Sequence, residues 1–232
     1  MILGVIGGLG PMATAYFTEL VVKMTDASTD QEHPEMIVYS VPSVPDRTAY
    51  ILGKSDSSPV PGIVDAGRKL REWGADVIAM PCITAHCFHE ELSEKIGLPI
   101  INGVESVALY LCGKGVRNEG IMATDGTLQT GLFQKELEKH GIKAITPSPD
   151  GQKRVMSLIY DDIKTGREPN MENFEKVERE LRALGAENVI LGCTELSLIK
   201  QKHDIGDFFT DAMECLAACA VRAVGKKVKA DF

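Results

Sequence analysis

The sequence predicts an α/β protein of two pseudo-symmetric lobes, each a parallel sheet flanked by helices, with an active site in the cleft between them. Three observations carry that expectation. Short Val- and Ile-rich runs alternate with longer amphipathic stretches along all 232 residues. The short runs are apolar throughout rather than alternating, as strands are when helices cover both faces. The first half of the chain also returns in the second at a nearly constant offset. The βαβα order places the strands in parallel sheets.

In chain order, strands are expected at 2–6 (ILGVI), 36–41 (MIVYSV), 76–80 (DVIAM), 98–101 (LPII), 120–123 (GIMA), 143–146 (KAIT) and 188–191 (NVIL). Helical patterns fall between and after them, at 12–25, 61–73, 85–96, 104–111, 128–140, 152–165, 171–184 and 211–224. The stretch SDSSPVP at 55–61 is the most loop-like, and no low-complexity segment interrupts the pattern.

The repeat has two parts. GVIGGLGPMATAYF from Gly4 aligns with GIMATDGTLQTGLF from Gly120, matching Gly10 with Gly126, Thr14 with Thr130 and Phe17 with Phe133. REWGADVIAMPC from Arg71 aligns with RALGAENVILGC from Arg182, matching Gly74-Ala75 with Gly185-Ala186 and Cys82 with Cys193. The offsets are 116 and 111 residues, a small indel between halves. Ligands in open α/β sheets bind beyond the carboxyl ends of strands. Two lobes with those ends facing each other would set Cys82 and Cys193 on opposite walls of one cleft, an arrangement suited to chemistry on both faces of one carbon.

Composition narrows the class. The chain is 44% hydrophobic and 25% charged, with a formal net charge of −8. That balance argues against a general nucleic-acid surface, which needs a basic face. No apolar run approaches the roughly 18 residues of a membrane span, and MILGVIGGLG enters a strand directly rather than reading as a signal peptide. The six cysteines do not form a disulfide framework and are expected as reduced thiols, which points to the cytoplasm.

Four motifs carry chemistry. In IGGLGPMAT, Gly8 and Gly10 stand with Gly7 between a strand and a helix, where free N–H groups and the helix N-terminus suit a small anion or carboxylate. Pro11 and Met12 break the dinucleotide fingerprint. Cys82 ends its strand beside a helix start, a setting that lowers a thiol pKa and supplies thiolate, and Cys193-Thr194-Glu195 repeats it; the plain alternative is a buried structural thiol. Arg47, in PDRT after the second strand, offers a fork for a carboxylate. Thr124 and Thr127 follow the strand at 120–123 and can hydrogen-bond a ligand, while Lys164 reads as a surface lysine.

Rival readings stand beside these. Cys82, His86 and His89 at i, i+4 and i+7 would share a helix face, as metal ligands do; His86 could instead orient local backbone. A Cys-His hydrolase explains one cysteine and leaves the second without a role. Cys87, Cys112, Cys215 and Cys219 lie in helical patterns and read as packing residues.

With both cysteines placed, the chain resembles the aspartate/glutamate racemase family, in the wider superfamily that includes hydantoin racemases. The resemblance runs nearly the full length and rests on GGLGPMAT at 7–14, PDRTAY at 45–50, PCITAH at 81–86, ATDGT at 123–127 and LGCTEL at 191–196. It implies lobes of 1–102 plus 208–232 and 103–207, the C-terminal helix from about 208 packing back on the first. It implies a homodimer and a reaction with no cofactor and no metal, in which one cysteine thiolate removes the α-proton and the other thiol protonates the opposite face. Cys82 and Cys193 match that pair. Arg47 and Lys164 match the cations that contact the substrate's side-chain carboxylate. Gly8, Gly10, Met12, Ile83, Thr84, Thr124, Thr127, Thr194 and Glu195 are the expected lining of the substrate site.

One departure stands out. The family usually has asparagine after the first cysteine, where it helps hold the amino-acid head group; here it is Ile83, which cannot supply those hydrogen bonds. The matched cysteines and Arg47 make racemisation of aspartate or glutamate the expected activity. The alternatives are another superfamily reaction (hydantoin racemisation, decarboxylation or cis–trans isomerisation), or non-catalytic binding of an amino acid or dicarboxylate.

Overall fold

The computed structural model describes residues 1–230. Two compact units emerge: Met1–Gly103 with the segment from Met213 onward, and Val104–Ala212.

In the first unit, β1 (Ile2–Gly7) runs between β2 (Glu35–Ser40) and β3 (Val77–Ala79), all parallel. Helix α1 (Pro11–Met24) follows β1, and α2 (Arg47–Ile51) and α3 (Val60–Glu72) follow β2. A 3-10 helix, Ile83–Phe88, and α4 (His89–Ile96) follow β3. On α3 the buried residues Ile63, Ala66, Gly67 and Leu70 recur at helical spacing, while Lys69 and Asp65 pair on the outer face at 2.8 Å. Burying each such Ile or Leu is worth up to about 1.5–3 kcal/mol. The strand expected at 98–101 shrinks to one bridge, Ile100 to Ile78. Pro99 has no N–H to extend the ladder; its carbonyl accepts from Ile78 N at 2.9 Å.

In the second unit, α5 (Gly103–Lys114) leads into β4 (Asn118–Met122), α6 (Asp125–Thr130), α7 (Leu132–Lys139) and β5 (Lys143–Ile145). Then come α8 (Pro149–Ser157), α9 (Met171–Ala183), β6 (Asn188–Leu191), α10 (Thr194–Lys202) and β7 (Phe209–Asp211). The parallel sheet has the order β5-β4-β6-β7. Helix α11 (Ala212–Ala223) follows. Strand β7 was not foreseen. It pairs Val189, Ile190 and Leu191 with Phe209, Thr210 and Asp211, so 208–212 belongs with the second unit and the division falls after Ala212 rather than at 207/208. The helix expected at 128–140 is two helices meeting at Gly131, whose φ is +68°. The one expected at 152–165 leaves α-geometry after Ser157, widens into a π turn at Leu158–Asp162 and tightens at Ile163–Thr165.

The repeat read in the sequence is a repeat of hydrogen bonds within each unit. Leu3 pairs with Val77 and Gly4 with Ile78; Glu119 pairs with Asn188 and Gly120 with Val189, each the residue matched by the alignment. Asp76 N donates to Ile2 O at 2.9 Å, and Glu187 N to Asn118 O at 2.8 Å. Thr14 Oγ1 donates to Gly10 O at 2.9 Å, and Thr130 Oγ1 to Gly126 O at 3.0 Å. A side chain on Gly4 would begin 2.9 Å from Ala75 Cβ; one on Gly120 would begin 2.7 Å from Val189 Cγ2 and 3.3 Å from Ala186 Cβ.

Candidate active site

Each sheet carries a topological switch point. In β5-β4-β6-β7 the chain leaves β4 toward β5 and β6 toward β7, in opposite directions; in β2-β1-β3 it leaves β1 toward β2, while β3 leads on to the bridge at Ile100. Loops at the carboxyl ends of two adjacent parallel strands on either side of such a point form the usual ligand crevice of an open α/β sheet. In the first unit those are the glycine loop after β1 and Cys82 after β3. In the second they are Thr124–Thr127 after β4 and Cys193 after β6. Gly8, Gly10, Cys82, Thr124, Thr127 and Cys193 stand at these edges.

Cys82 sits in a three-residue turn, its N–H donating to Met80 O at 2.7 Å around Pro81, whose ring fixes φ. Cys82 is 6% exposed and borders the core beside Met80 and Ala85. His86 Nδ1 lies 3.1 Å from Cys82 O, and its other nitrogen 3.4 Å from Ile101 O. Burial pushes the His86 pKa down to about 4, so the neutral ring has one N–H for the two carbonyls. His89 Nε2 faces Ile100 O at 2.8 Å. Both imidazoles are thus turned to backbone carbonyls, which supports the reading of His86 as a backbone-orienting residue over the metal reading. Ile83 and Thr84 are buried, with Ile83 Cδ1 3.1 Å from where a side chain on Gly103 would begin.

The glycine loop is held from inside. Gly8 has φ +86°, and a side chain there would collide with Val41. Its N–H, expected to face an anion, donates to Thr14 Oγ1 at 2.9 Å. Gly10 caps α1, and Met12 in the first turn is 70% exposed. Arg47 is 8% exposed: Nη2 donates to Leu9 O at 2.6 Å and Nη1 to Pro45 O at 3.1 Å. Expected as a carboxylate fork, it ties the loop after β1 to the loop after β2.

In the second unit Thr124 caps α6, its Oγ1 accepting from Thr127 N at 3.2 Å. Gln152 on α8 donates to Ala123 O at 3.0 Å and Asp125 Oδ1 at 2.8 Å, fixing this loop. Beside it lies a hollow of about 330 Å³ lined by Asp125, Gln152, Met156, Tyr160 and Asp161 among others. Sequence reasoning passed over Gln152 and Tyr160, which lie in an amphipathic pattern with no motif to mark them.

Cys193 is the N-cap of α10, and its sulfur lies 2.9 Å from Glu195 Oε2. Thr194 Oγ1 donates to the same oxygen at 3.2 Å. The other oxygen, Oε1, pairs with Lys164 Nζ at 2.9 Å. Lys164 reaches it because the π turn and the tight turn after α8 re-aim the backbone. Burial above all, then the Glu195 charge, pushes the Cys193 thiol well above its usual range, with Lys164 acting in the opposite sense. The helix N-terminus was expected to favour thiolate here, and burial with Glu195 outweighs it. Cys82 precedes a 3-10 helix rather than an α-helix. Of the four packing cysteines, Cys87 is pushed up to about 12, first by burial, while Cys112 is exposed and packs into no core.

Residues 6–220 match the Asp/Glu/Hydantoin racemase family. The chain is 27% identical over 228 residues to the broad specificity amino-acid racemase RacX of Bacillus subtilis, covering 94% of this chain and 96% of that protein. It superposes on the structure of an aspartate racemase of Picrophilus torridus with a TM-score of 0.85 and 30% identity, covering 99% of this chain and 96% of the other. A glutamate racemase of Francisella tularensis shares the fold at 14% identity, with a TM-score of 0.67 over 96% of this chain and 80% of its own.

Proposed function

This chain belongs to the Asp/Glu/hydantoin racemase family, and from that premise we propose that it interconverts the L and D forms of aspartate or glutamate by a two-base cysteine mechanism without a cofactor. The observation that carries this is the matched placement of Cys82 after β3 and Cys193 after β6, each beside a switch point of its own sheet. The names of its relatives, amino-acid racemases and an aspartate racemase among them, support the reaction class.

In this reading Cys82 thiolate takes the α-hydrogen as a proton and leaves the electron pair on the α-carbon. The Cys193 thiol delivers its proton to the opposite face, and the reverse reaction exchanges the roles. Thr84, Thr124 and Thr194 are the hydrogen-bonding groups proposed for the substrate's head group, and Arg47 and Lys164 the cations for its side-chain carboxylate. The same proposal places a homodimer in the cytoplasm; among the described residues no helix is long and apolar enough to cross a membrane.

The similarity to a broad-specificity racemase favours a second reading, in which other amino acids are also substrates. Circular dichroism with both enantiomers of aspartate, glutamate and a panel of neutral amino acids tests both. Loss of optical activity for the acidic pair supports the first, and for neutral members the second. No change with any amino acid, the protein being folded and its thiols intact, defeats the proposal.

A further inference from the structure

Glu195 sits two residues past Cys193 and is 5% exposed. Its carboxylate collects three partners of different chemistry: the Cys193 thiol at 2.9 Å, the Thr194 hydroxyl at 3.2 Å and the Lys164 ammonium at 2.9 Å. A carboxylate beside a thiol opposes a second negative charge on the sulfur. A carboxylate already neutralised by an ammonium opposes it less. Asp211 is turned to Ser197 Oγ at 2.6 Å, two residues further along α10.

We infer that Glu195 is a positioning residue that acts through Cys193: paired with Lys164, it holds Cys193 as the neutral thiol between turnovers, so Cys193 is the resting acid and Cys82 the resting base. This rests on the two-base reading above. In the forward half-reaction the Cys82–H bond forms as the α-carbon–H bond breaks. The Cys193 S–H bond then breaks, its electron pair stays on sulfur, and its proton joins the α-carbon. Cys193 thiolate, now facing Glu195, is the less stable form and regains a proton from solvent, while Cys82 returns one. Lys164 sets how unfavourable that form is, and so acts on Cys193 through Glu195.

The test is a pH titration of the Cys193 ¹³Cβ resonance in the full-length protein, assigned by its loss in Cys193→Ser. In Glu195→Gln the thiolate signal should appear at least one pH unit lower than in the wild type, a tenfold change in the acid constant. In Lys164→Met it should move higher or out of range, and Glu195→Asp should restore the wild-type position in part. Shifts of the same sign in the Gln and Met variants, or none, overturn the inference. If Glu195→Gln does not fold, Lys164→Met alone still decides, since an unmoved signal there also overturns it. The titration needs no substrate. Shifts of the same sign in the Gln and Met variants with racemisation intact therefore remove only this inference, whereas opposite shifts in a protein that racemises nothing remove the function and the acid–base roles with it.

Discussion

Arg47 Nη2 stands 2.6 Å from the carbonyl oxygen of Leu9, joining the loop that follows β2 to the glycine loop that follows β1. A hydrogen bond from a charged donor is worth about 1.5–3 kcal/mol, and this one spans two loops at one sheet edge. The planar fork also reaches Pro45 O at 3.1 Å, which a single ammonium cannot match in geometry. Arg47→Lys should therefore lower the urea-unfolding free energy by about 1–2 kcal/mol and raise the racemisation KM. An unchanged midpoint with a raised KM would mean that Arg47 serves the substrate alone.

The repeat makes a paired test of packing. Gly4→Ala and Gly120→Ala each push a methyl into a close neighbour, Ala75 and Val189 respectively, and should each cost about 1–3 kcal/mol. Gly113→Ala in α5 meets no neighbouring atom within 4 Å and should be neutral or stabilising by about 0.5–1 kcal/mol. Thermal melts of the three variants check this. Equal effects in all three would show that the close approach of the backbone does not matter.

Glu119 on β4 is fully buried, and neither carboxylate oxygen meets a hydrogen-bond partner among the described residues. Burial, then the charge of Glu187, raises its pKa to about 8, with Lys114 opposing. The folded chain thus keeps a proton that the unfolded chain has lost, so stability falls as pH rises from about 4.5 to about 8 and is level above that. Glu119→Gln should flatten this slope and raise stability at pH 9 by a few kcal/mol, read from urea midpoints at pH 5 and pH 9. A slope that survives the substitution would assign it elsewhere.

His86 works in the opposite direction. Its pKa of about 4 lies below the ordinary 6.5, chiefly through burial, so the folded state resists the proton that the unfolded state accepts. Stability present above pH 6.5 is lost as pH falls toward 4. His86→Gln, which keeps a donor for Cys82 O, should weaken this acid sensitivity while retaining more kcat than His86→Leu. If the Leu and Gln variants have equal kcat, the bond to Cys82 O does not position the cysteine.

The parallel strands were legible because their apolar runs need cover on both faces, and the repeat because Gly4 and Gly120 must be small where matched neighbours press on them. The two cysteines stood out for the same reason, as strand ends in matched places. What escaped depends on pairing rather than pattern. Strand β7 is three residues, FTD, with no run long enough to read, and it forms because β6 presents a ladder to it. Glu195 and Lys164 are 31 positions apart, and a π turn brings them to 2.9 Å. Which way the helix N-terminus tilts Cys193 is decided by burial and by that pair, neither of which a motif encodes.

The two-base claim is tested most directly by solvent-deuterium exchange into aspartate and glutamate, followed by mass spectrometry and NMR of the α-position. Wild-type protein should place deuterium at the α-carbon of the product enantiomer. Cys82→Ala and Cys193→Ala should each abolish racemisation, while Cys193→Ala still exchanges the α-hydrogen of the one enantiomer that Cys82 faces. Loss of exchange from both enantiomers in Cys193→Ala, or wild-type racemisation in either variant, would contradict it.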